Sequence, residues 1–140
     1  MHKLSRKLVA CKAINKTILK KDSQKEKLDI EVSILKWFRH PNVVKLYETF
    51  DSKNHKLLFL ELCAGGDLLN YVWKRWRLKE DYAKYIFKQI IEGIGHVHQK
   101  GVLHWDIKLD NILLDGKGNI KIADFGVSRI VRSKFDKMSE

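Results

Sequence analysis

Five polar side chains in the second half of the chain have types and spacing that suit chemistry. His104, Asp106, Lys108 and Asn111 share one short run, and Asp124 follows it a little further along. A carboxylate can accept a proton, a lysine can neutralise an anion, and a hard cation such as magnesium prefers carboxylate and amide oxygens. An aspartate in a turn is usually a helix cap or a solvated charge, so no single residue is decisive. Their ordered combination rarely arises by chance, and it predicts a catalytic site.

This run resembles the catalytic loop of the protein kinases. The family pattern H-R-D-x-K-x-x-N matches His104–Asn111 at every fixed position except Trp105, and the metal-binding pattern D-F-G matches Asp124–Gly126 completely. The resemblance is to eukaryotic-type serine/threonine kinases, with the flavour of the calcium/calmodulin-dependent and AMP-activated kinases. It implies transfer of the ATP γ-phosphate, with Mg²⁺, to a hydroxyl group.

The resemblance also implies a role for each residue of the loop. Asp106 corresponds to the catalytic base that orients the attacking hydroxyl, while Asn111 and Asp124 correspond to the two magnesium ligands. Lys108 matches the lysine that contacts the transferred phosphate and marks serine/threonine rather than tyrosine kinases. The implied reaction is therefore phosphorylation of serine or threonine in a protein substrate.

A lysine and a glutamate upstream stand where charges are unusual. Lys12 interrupts a β-rich run at 8–14, and Glu31 falls on the apolar stripe of the following helix. An ion pair between them would account for both placements, because an unpaired buried charge is costly; two side chains that reach solvent separately would account for them as well. Val9–Lys12 resembles the kinase V-A-I-K strand, which implies that Lys12 binds nucleotide phosphates and that Glu31 holds Lys12.

The resemblance further implies a nucleotide cleft between the two halves of the chain. Glu61–Cys63 corresponds to the hinge whose backbone groups bind adenine, and Asp67 would approach the ribose. Ala10 and Leu113 would cover the two faces of the ring with apolar surface. The residue that limits the pocket and the family's regulatory stack also have counterparts: Leu60 for the former, and Leu35, Leu46, His104 and Phe125 for the latter.

The periodicity of the first half predicts three strands and one helix. The helix is expected at 23–39, because Ser23 and Glu26 have capping-box spacing and an apolar stripe follows them. That stripe consists of Leu28, Val32, Leu35 and Phe38. The expected strands are residues 8–14, 43–50 and 57–62.

The second half is predicted to be mostly helical. A short helix should begin at Asp67, and a long helix over 79–100 should end at Gly101. The helix should bury Tyr82, Ile86, Ile90, Ile94 and Val97. Two short strands at 112–114 and 120–123 should form a hairpin. The expected fold class is α+β, a partial two-lobed kinase fold with the nucleotide between the lobes.

The resemblance stops short at both ends. No G-x-G-x-x-G precedes Val9, and no A-P-E follows Gly126. We therefore expect a partial kinase domain, truncated at both ends. Its small-lobe portion, residues 1–62, would lack the glycine-rich loop, and its large-lobe portion, residues 63–140, would end in the activation segment.

Trp105 stands where most kinases have an arginine that receives a phosphate on the activation segment. An indole cannot bind a phosphate in that way. Two interpretations remain open. One is a kinase that such phosphorylation does not control; the other is an inactive fragment or pseudokinase that binds nucleotide, a partner kinase or a regulatory protein.

Composition bounds the partners and the compartment. The net charge of +11 is spread along the chain, which is typical of a lysine-rich solvated surface. The basic and aromatic run 73–77 could clamp single-stranded nucleic acid, but it is too short to favour that role over the end of a surface helix. Cys11 and Cys63 form no C-x-x-C pair, and signal or membrane-spanning segments are lacking. We expect an intracellular, cytoplasmic protein without membrane contact.

Overall fold

The computed structural model describes residues 7–124 and 129–130. Within them, the strands are β1 (Val9–Asn15), β2 (Leu46–Asp51), β3 (His55–Glu61), β4 (Val102–Leu103), β5 (Ile112–Leu114), β6 (Ile120–Ile122) and β7 (Arg129–Ile130). The α-helices are α1 (Asp22–Trp37), α2 (Leu68–Arg75) and α3 (Glu80–Gln99), and short 3-10 turns lie at Lys16–Ile18 and Leu109–Asn111. The predicted α+β class is confirmed.

The small lobe contains an antiparallel sheet in which β3 lies between β1 and β2. On β1, Ala10 is paired with Leu60 and Lys12 with Leu58, which is fully buried. The predicted stripe of α1 is buried in the same core, together with one further residue of the helix: Leu28, Val32, Leu35 and Phe38, joined by Ile34. Apolar burial thus holds α1, and with it Glu31, in the small-lobe core.

The start of α1 differs from the prediction. The helix begins at Asp22 with Lys21 as its N-cap residue, and the Lys21 backbone amide donates to the Gln24 side chain at 3.3 Å. Ser23 therefore lies inside the first turn, and the predicted capping box of Ser23 and Glu26 is wrong. Glutamine reaches back to an N-cap amide as well as glutamate does, so another pair with the same spacing begins the helix.

A buried amide network joins the α1–β2 connection to the large lobe. Asn42 Nδ2 donates to the Ile120 carbonyl at 3.1 Å and to Gln89 Oε1 at 2.8 Å. The Ile120 amide donates to the same Gln89 oxygen at 3.0 Å. Backbone groups of β6 therefore fix the orientation of both side-chain amides, and they tie this connection to β6 and to α3.

The same connection explains why β2 is shorter than predicted. The Val44 amide donates to the Ile122 carbonyl at 2.9 Å, and Val43 forms an isolated bridge with Ile122. These backbone groups bond to the large lobe, so regular pairing with β3 begins only at Leu46. Gly93 allows this approach, because a Cβ there would lie 2.9 Å from the Asn42 carbonyl oxygen.

Both large-lobe helices begin near the predicted residues, and α3 also ends near its predicted end. The Asn70 amide donates to the Asp67 carboxylate at 2.8 Å, which caps α2, and α2 ends at Trp76 in the left-handed conformation (φ 65°). Gly101 follows α3 with φ 71°, as expected of a glycine after a helix. The predicted inward residues of α3 divide into two that are buried, Ile86 and Val97, and three that are partly buried, Tyr82, Ile90 and Ile94.

Strands β5 and β6 form the predicted hairpin. In its turn, Asp115 Oδ1 accepts hydrogen bonds from the amides of Lys117 and Asn119 at 2.8 and 2.9 Å. Burial by itself would raise the pKa of Asp115, but these amides outweigh it and hold the pKa below its ordinary value. A second pair, β4 with β7, was not predicted, since two residues per strand are too few to show a period.

None of the helices among residues 7–124 is both long and apolar enough to cross a membrane. Phe125 and Gly126, from the D-F-G match and the regulatory stack, lie outside the described residues. The chain's first six residues and its last ten lie outside them as well.

Candidate active site

A cavity of about 390 Å³ is enclosed by β1, α1, β3 and the segments around Asn111 and Asp124. Most of the predicted site residues line it: Ala10, Lys12, Glu31, Glu61, Cys63, Asn111, Leu113 and Asp124. Asp67, Asp106 and Lys108 are outside this lining. The fold therefore brings residues as far apart in the sequence as Ala10 and Asp124 together in one cavity.

Lys12 and Glu31 meet across the small lobe. Lys12 Nζ lies 3.5 Å from Glu31 Oε1, and their side chains are 49% and 13% exposed. The predicted ion pair is therefore present, and Glu31 is the more buried partner. A half-exposed lysine contributes little stability through such a pair. Both residues lie on the cavity wall.

The upper and lower walls of the cavity are apolar. Ala10 comes from β1 and Leu113 from β5, and they are joined by Leu35, Val44, Leu58, Leu60 and Ala123. Such surfaces suit a flat heterocycle, because burial of both its faces away from water is favourable. Leu60 lines the cavity, in keeping with its predicted place beside the pocket.

The predicted hinge segment, Glu61–Cys63, is anchored through Glu61. Its amide donates to the Lys45 carbonyl at 2.8 Å, and its carboxylate lies 2.8 Å from Lys121 Nζ. Burial, and then the nearby charge of Glu61, raises the pKa of the Cys63 thiol to about 11. Lys121 is a residue that the sequence analysis missed, although a charged residue inside the apolar run Ile120–Ile122 was a usable signal.

The predicted catalytic loop, His104–Asn111, brings Asp106 and Asn111 into direct contact. Asn111 Nδ2 donates to the backbone carbonyl of Asp106 at 2.9 Å and to its carboxylate Oδ2 at 3.0 Å. Asn111 is buried and lines the cavity. Because Nδ2 makes both contacts, Oδ1 is the amide atom that remains for a cation.

Lys108 lies between two carboxylates. Its Nζ is 3.9 Å from Asp106 Oδ1 and 3.7 Å from Asp110 Oδ2. All three side chains are well exposed, so these contacts contribute little to stability and leave the ammonium group accessible. Asp110 also lines the cavity and was not among the predicted site residues. Asp110 occupies a motif position at which the residue type varies, so the motif did not indicate it as a site residue.

His104 connects the catalytic loop to the end of β6. The Asp106 amide donates to His104 Nδ1 at 3.1 Å, and Nε2 lies 2.7 Å from the Ala123 carbonyl oxygen. Because Nδ1 accepts a hydrogen bond, the ring proton is on Nε2, which donates to Ala123. The next residue, Asp124, adopts φ 57°, a conformation that is uncommon outside glycine and concentrated at functional sites.

Asp67 and Trp105 have local structure that the motifs did not predict. The Asp67 carboxylate caps α2 and also accepts from Asn70 Nδ2 at 2.9 Å, so its approach to a ribose stays a prediction. Trp105 has φ 67° and is 66% exposed beside the predicted catalytic loop.

Three residues of the predicted regulatory stack lie in the described part of the chain. Leu35 and His104 are buried, and Leu46 is partly buried.

The donor set fits magnesium and a nucleotide. Asn111 and Asp124 present an amide oxygen and a carboxylate to the same cavity, and oxygen donors are those that Mg²⁺ prefers. Lys12 supplies a cation for phosphate, while the apolar walls suit a base. The residues present are therefore compatible with both groups.

A lobe of sheet and helix joined to a helical lobe, with a lysine–glutamate pair and an aspartate–asparagine loop at one cavity, defines a kinase-type protein. The family model described as the protein kinase domain matches residues 1–140. The chain belongs to the protein kinase family.

The relatives are serine/threonine kinases. The chain is 39% identical over 130 residues to serine/threonine protein kinase OSK3 of Oryza sativa subsp. indica, covering 93% of this chain and 26% of that protein. It is 39% identical over 126 residues to NUAK family SNF1-like kinase 2 of Rattus norvegicus, covering 90% and 20%. It is 41% identical over 120 residues to CBL-interacting protein kinase 8 of Oryza sativa subsp. japonica, covering 86% and 27%.

These matches confirm the serine/threonine branch of the family and fit its AMP-activated type. The chain spans about a quarter of the length of these curated relatives.

Proposed function

We propose that this chain carries the nucleotide site and catalytic residues of a kinase that transfers the ATP γ-phosphoryl group to serine or threonine in a protein substrate. The observation that carries the proposal is the single cavity shared by Lys12, Glu31, Asn111 and Asp124. Phosphoryl transfer needs cations on the phosphates and an acceptor for the hydroxyl proton. The cavity and the adjoining loop provide a residue for each need.

The cavity residues would bind and orient the nucleotide. Bound ATP supplies the phosphoryl group, and bound Mg²⁺ neutralises its oxygens. Ala10 and Leu113 would cover the adenine, and the backbone of Glu61–Cys63 would bond its edge. Lys12, held by Glu31, would lie on the phosphates. The oxygens of Asn111 and Asp124 would hold the metal ion.

The catalytic loop would act on the hydroxyl group. Asp106 would orient the substrate hydroxyl and accept its proton, with Asn111 fixing the carboxylate in advance at 3.0 Å. Lys108 Nζ, 3.9 Å from Asp106 Oδ1, would neutralise the transferred phosphate. The preformed contact between Asp106 and Asn111 supports this assignment, because a base must be positioned before it is useful.

We also propose a lobe division, a cellular compartment and a protein partner for the chain. The lobes would divide at the hinge, into residues 1–62 and 63–140, with the chain forming part of a kinase domain. Cys11 and Cys63 are free thiols, which fits a reducing, intracellular compartment. A regulatory protein partner is also proposed, because one relative is named a CBL-interacting kinase.

Nucleotide binding and phosphoryl transfer test the proposal separately. Thermal shift with Mg-ADP measures the first, and incorporation of phosphate from ATP into a basic serine peptide measures the second. Asp106→Asn should retain binding and lose roughly 100-fold or more of the transfer rate. Asp81→Asn, on the exposed surface of α3, is the control and should change neither. Unchanged transfer in Asp106→Asn would contradict the mechanism.

A second candidate is a nucleotide- or partner-binding module without catalysis. Trp105, in the position of the family's arginine, favours it. Binding of Mg-ADP with no transfer by either the unchanged protein or Asp106→Asn would support this candidate over the first.

A further inference from the structure

The end of α2 and its connection to α3 form a basic and aromatic surface that the proposed catalytic function does not use. We call it the α2–α3 patch and define it as Trp73, Lys74, Arg75, Trp76, Arg77 and Lys79. All six residues are exposed. Leu78, within the same segment, packs against the core and fixes the connection in place.

The cations of this patch lack acidic partners. Among residues 7–124 and 129–130, none of Lys74, Arg75, Arg77 and Lys79 makes an ion pair, whereas Lys12, Lys16, Lys56, Lys84, Lys108 and Lys121 each do. The Arg75 guanidinium instead lies 3.7 Å from the centre of the Tyr71 ring. A stacked guanidinium keeps its N–H groups at its edge, where they can bind an anion in bidentate fashion.

The two tryptophans of the patch are exposed to an unusual degree. Trp73 is 79% and Trp76 is 93% exposed. Trp76 also has φ 65° as the C-cap of α2, a position that favours glycine. Its strained backbone is therefore not compensated by burial of the indole. Strain of this kind is concentrated at binding and functional sites.

An open cavity of about 830 Å³ adjoins the patch, and its lining is divided between polar and apolar surface. Arg75, Arg77 and Lys79 contribute cations to it, and Tyr71 and Tyr82 also line it. Glu80 is the acid in this lining, and its carboxylate is paired with Lys84 at 3.1 Å. The cavity therefore favours an anionic occupant, and the exposed indoles beside it favour an occupant that also has apolar groups.

We propose that the α2–α3 patch binds an acidic segment of the protein substrate, in which aspartate or glutamate residues are interleaved with apolar side chains. This inference rests on the proposed kinase function for the identity of its occupant. The arginines and lysines would bind the carboxylates, and the tryptophans would cover the apolar side chains. Charge complementarity and the two exposed indoles together carry the assignment.

Helix α2 connects the edge of the proposed nucleotide cavity to the patch. Asp67, at the start of α2, forms a bridge with Leu113 in the nucleotide cavity. The patch lies at the other end of α2, about 12 Å away for a helix of eight residues. An extended polypeptide spans that distance with roughly four residues. A polypeptide bound at the patch could therefore reach the edge of the cavity at Asp67.

The size and charge pattern of the patch favour a polypeptide over other anions. Single-stranded nucleic acid is held by a basic groove that follows several successive phosphates, whereas these cations lie within one short segment that Glu80 and Asp81 terminate. An interfacial membrane helix needs an extended apolar face, and α2 has its buried Leu68 turned into the core.

Binding is tested first without nucleotide. The probe is a synthetic peptide in which glutamate alternates with leucine, and its binding is followed by the fluorescence of the exposed indoles. The peptide should bind with an affinity that weakens as salt rises. The pair Arg75→Gln and Arg77→Gln should weaken binding about tenfold or more. The matched control Lys25→Gln and Lys27→Gln, the same charge change on exposed α1 positions, should leave it unchanged.

Trp76→Gly separates binding from stability. The substitution removes an indole and relieves the left-handed backbone, so it should weaken peptide binding several-fold while raising the melting temperature. A residue with a purely structural role would not lose binding as the protein becomes more stable. Binding as tight as that of the unchanged protein, in both Trp76→Gly and the arginine pair, would overturn the proposal.

Phosphorylation tests the link to the substrate. The acidic segment, fused to a serine peptide through a short spacer, should lower KM about tenfold without changing kcat. A peptide with glutamine in place of glutamate should not. If no peptide is phosphorylated, the proposed function fails while the binding result still stands. If both peptides are phosphorylated with equal KM, this inference fails.

Other anions complete the test. An oligothymidylate that binds more tightly than the acidic peptide would overturn the proposal in favour of nucleic acid. Binding to vesicles that contain phosphatidylserine, lost in the arginine pair, together with no binding of the peptide, would overturn it in favour of a membrane surface.

Discussion

Asn111 holds Asp106 by two hydrogen bonds from one side-chain nitrogen, at 2.9 Å to the backbone carbonyl and 3.0 Å to the carboxylate. The same asparagine lines the cavity proposed to bind nucleotide. It therefore has two roles in the proposed mechanism, as the group that positions the base and as an oxygen donor for the metal ion.

Asn111→Asp separates these two roles. Aspartate keeps an oxygen for Mg²⁺ but loses the N–H donor and places a carboxylate beside Asp106. We expect kcat to fall about 100-fold, the effect of a misplaced catalytic group, with Mg-nucleotide affinity within a few-fold of the original. Phosphate transfer and thermal shift with Mg-ADP measure the two quantities.

The matched control is Asn119→Asp in the hairpin turn. Asn119 Nδ2 donates to Asp115 at 3.2 Å, so this change makes the same pair of neighbouring carboxylates away from the site. It should leave kcat unchanged. If Asn111→Asp retained full activity, metal binding would be the only role of Asn111.

Lys12→Met should affect function much more than stability. The Lys12–Glu31 pair is 3.5 Å long with a half-exposed lysine, so its loss should cost less than about 1 kcal/mol of unfolding free energy. Nucleotide binding and phosphate transfer should both fall, the latter about 100-fold or more. Urea denaturation and Mg-ADP titration provide the measurements.

Lys16→Met is the comparison for Lys12. Lys16 also forms an ion pair, at 3.3 Å from Asp51, but lies outside the cavity lining. It should retain nucleotide binding. Equal loss of binding in the two variants would show that general surface charge, and not the position of Lys12, is responsible.

Two glycines of α3 should respond oppositely to alanine. At Gly93 a Cβ would lie 2.8 Å from Ile122 Cδ1 and 2.9 Å from the Asn42 carbonyl oxygen, so Gly93→Ala should destabilise by about 1–3 kcal/mol. At Gly95 nothing lies within 4 Å, so Gly95→Ala should stabilise by about 0.5–1 kcal/mol through helix propensity. The midpoints of urea denaturation measure both changes in stability, provided that the dependence of unfolding free energy on urea concentration is the same in each variant. Stabilisation by both changes would contradict the close approach of α3 to the Asn42 loop.

His96 should make stability depend on pH. The Arg39 amide donates to His96 Nε2 at 3.2 Å, and burial, followed by the charges of His40 and Lys100, lowers the His96 pKa from its ordinary value of 6.5. The unfolded chain therefore binds a proton at a higher pH than the folded chain does. The stability contribution of His96 is complete above pH 6.5 and is lost as the pH falls towards the lowered folded value.

The melting temperature should thus decrease between pH 7.5 and 5.5, and His96→Gln should reduce that decrease. His98→Gln, two residues along α3 and exposed, should not. A decrease that is the same in all three proteins would assign the pH dependence to other groups.

Local patterns predicted the elements well where one feature dominated. The long helix was placed within one residue at each end, because its apolar spacing and Gly101 act along a single segment. The stripe of α1 was correct, but its start was not: serine is the better N-cap residue, yet the helix begins at Asp22 with Lys21 as its N-cap residue and with the Gln24 side chain bonded to the Lys21 amide. Strand β2 was predicted too long, because Val43 and Val44 suit a strand but bond to the large lobe.

The residue types of the site were determined by the sequence itself. The ordered run His104–Asn111, with Asp124 and Lys12, specifies a proton acceptor, oxygen ligands and cations whatever the chain's path. Only the tertiary structure decided the contacts between distant residues: the Lys12–Glu31 pair in place of two separately solvated side chains, the Glu61–Lys121 pair, and the cavity shared by Lys12, Asn111 and Asp124. The physical reason is range. Periodicity and motifs report interactions between near neighbours along the chain, whereas these contacts depend on how β1, α1 and the β5–β6 hairpin pack against one another.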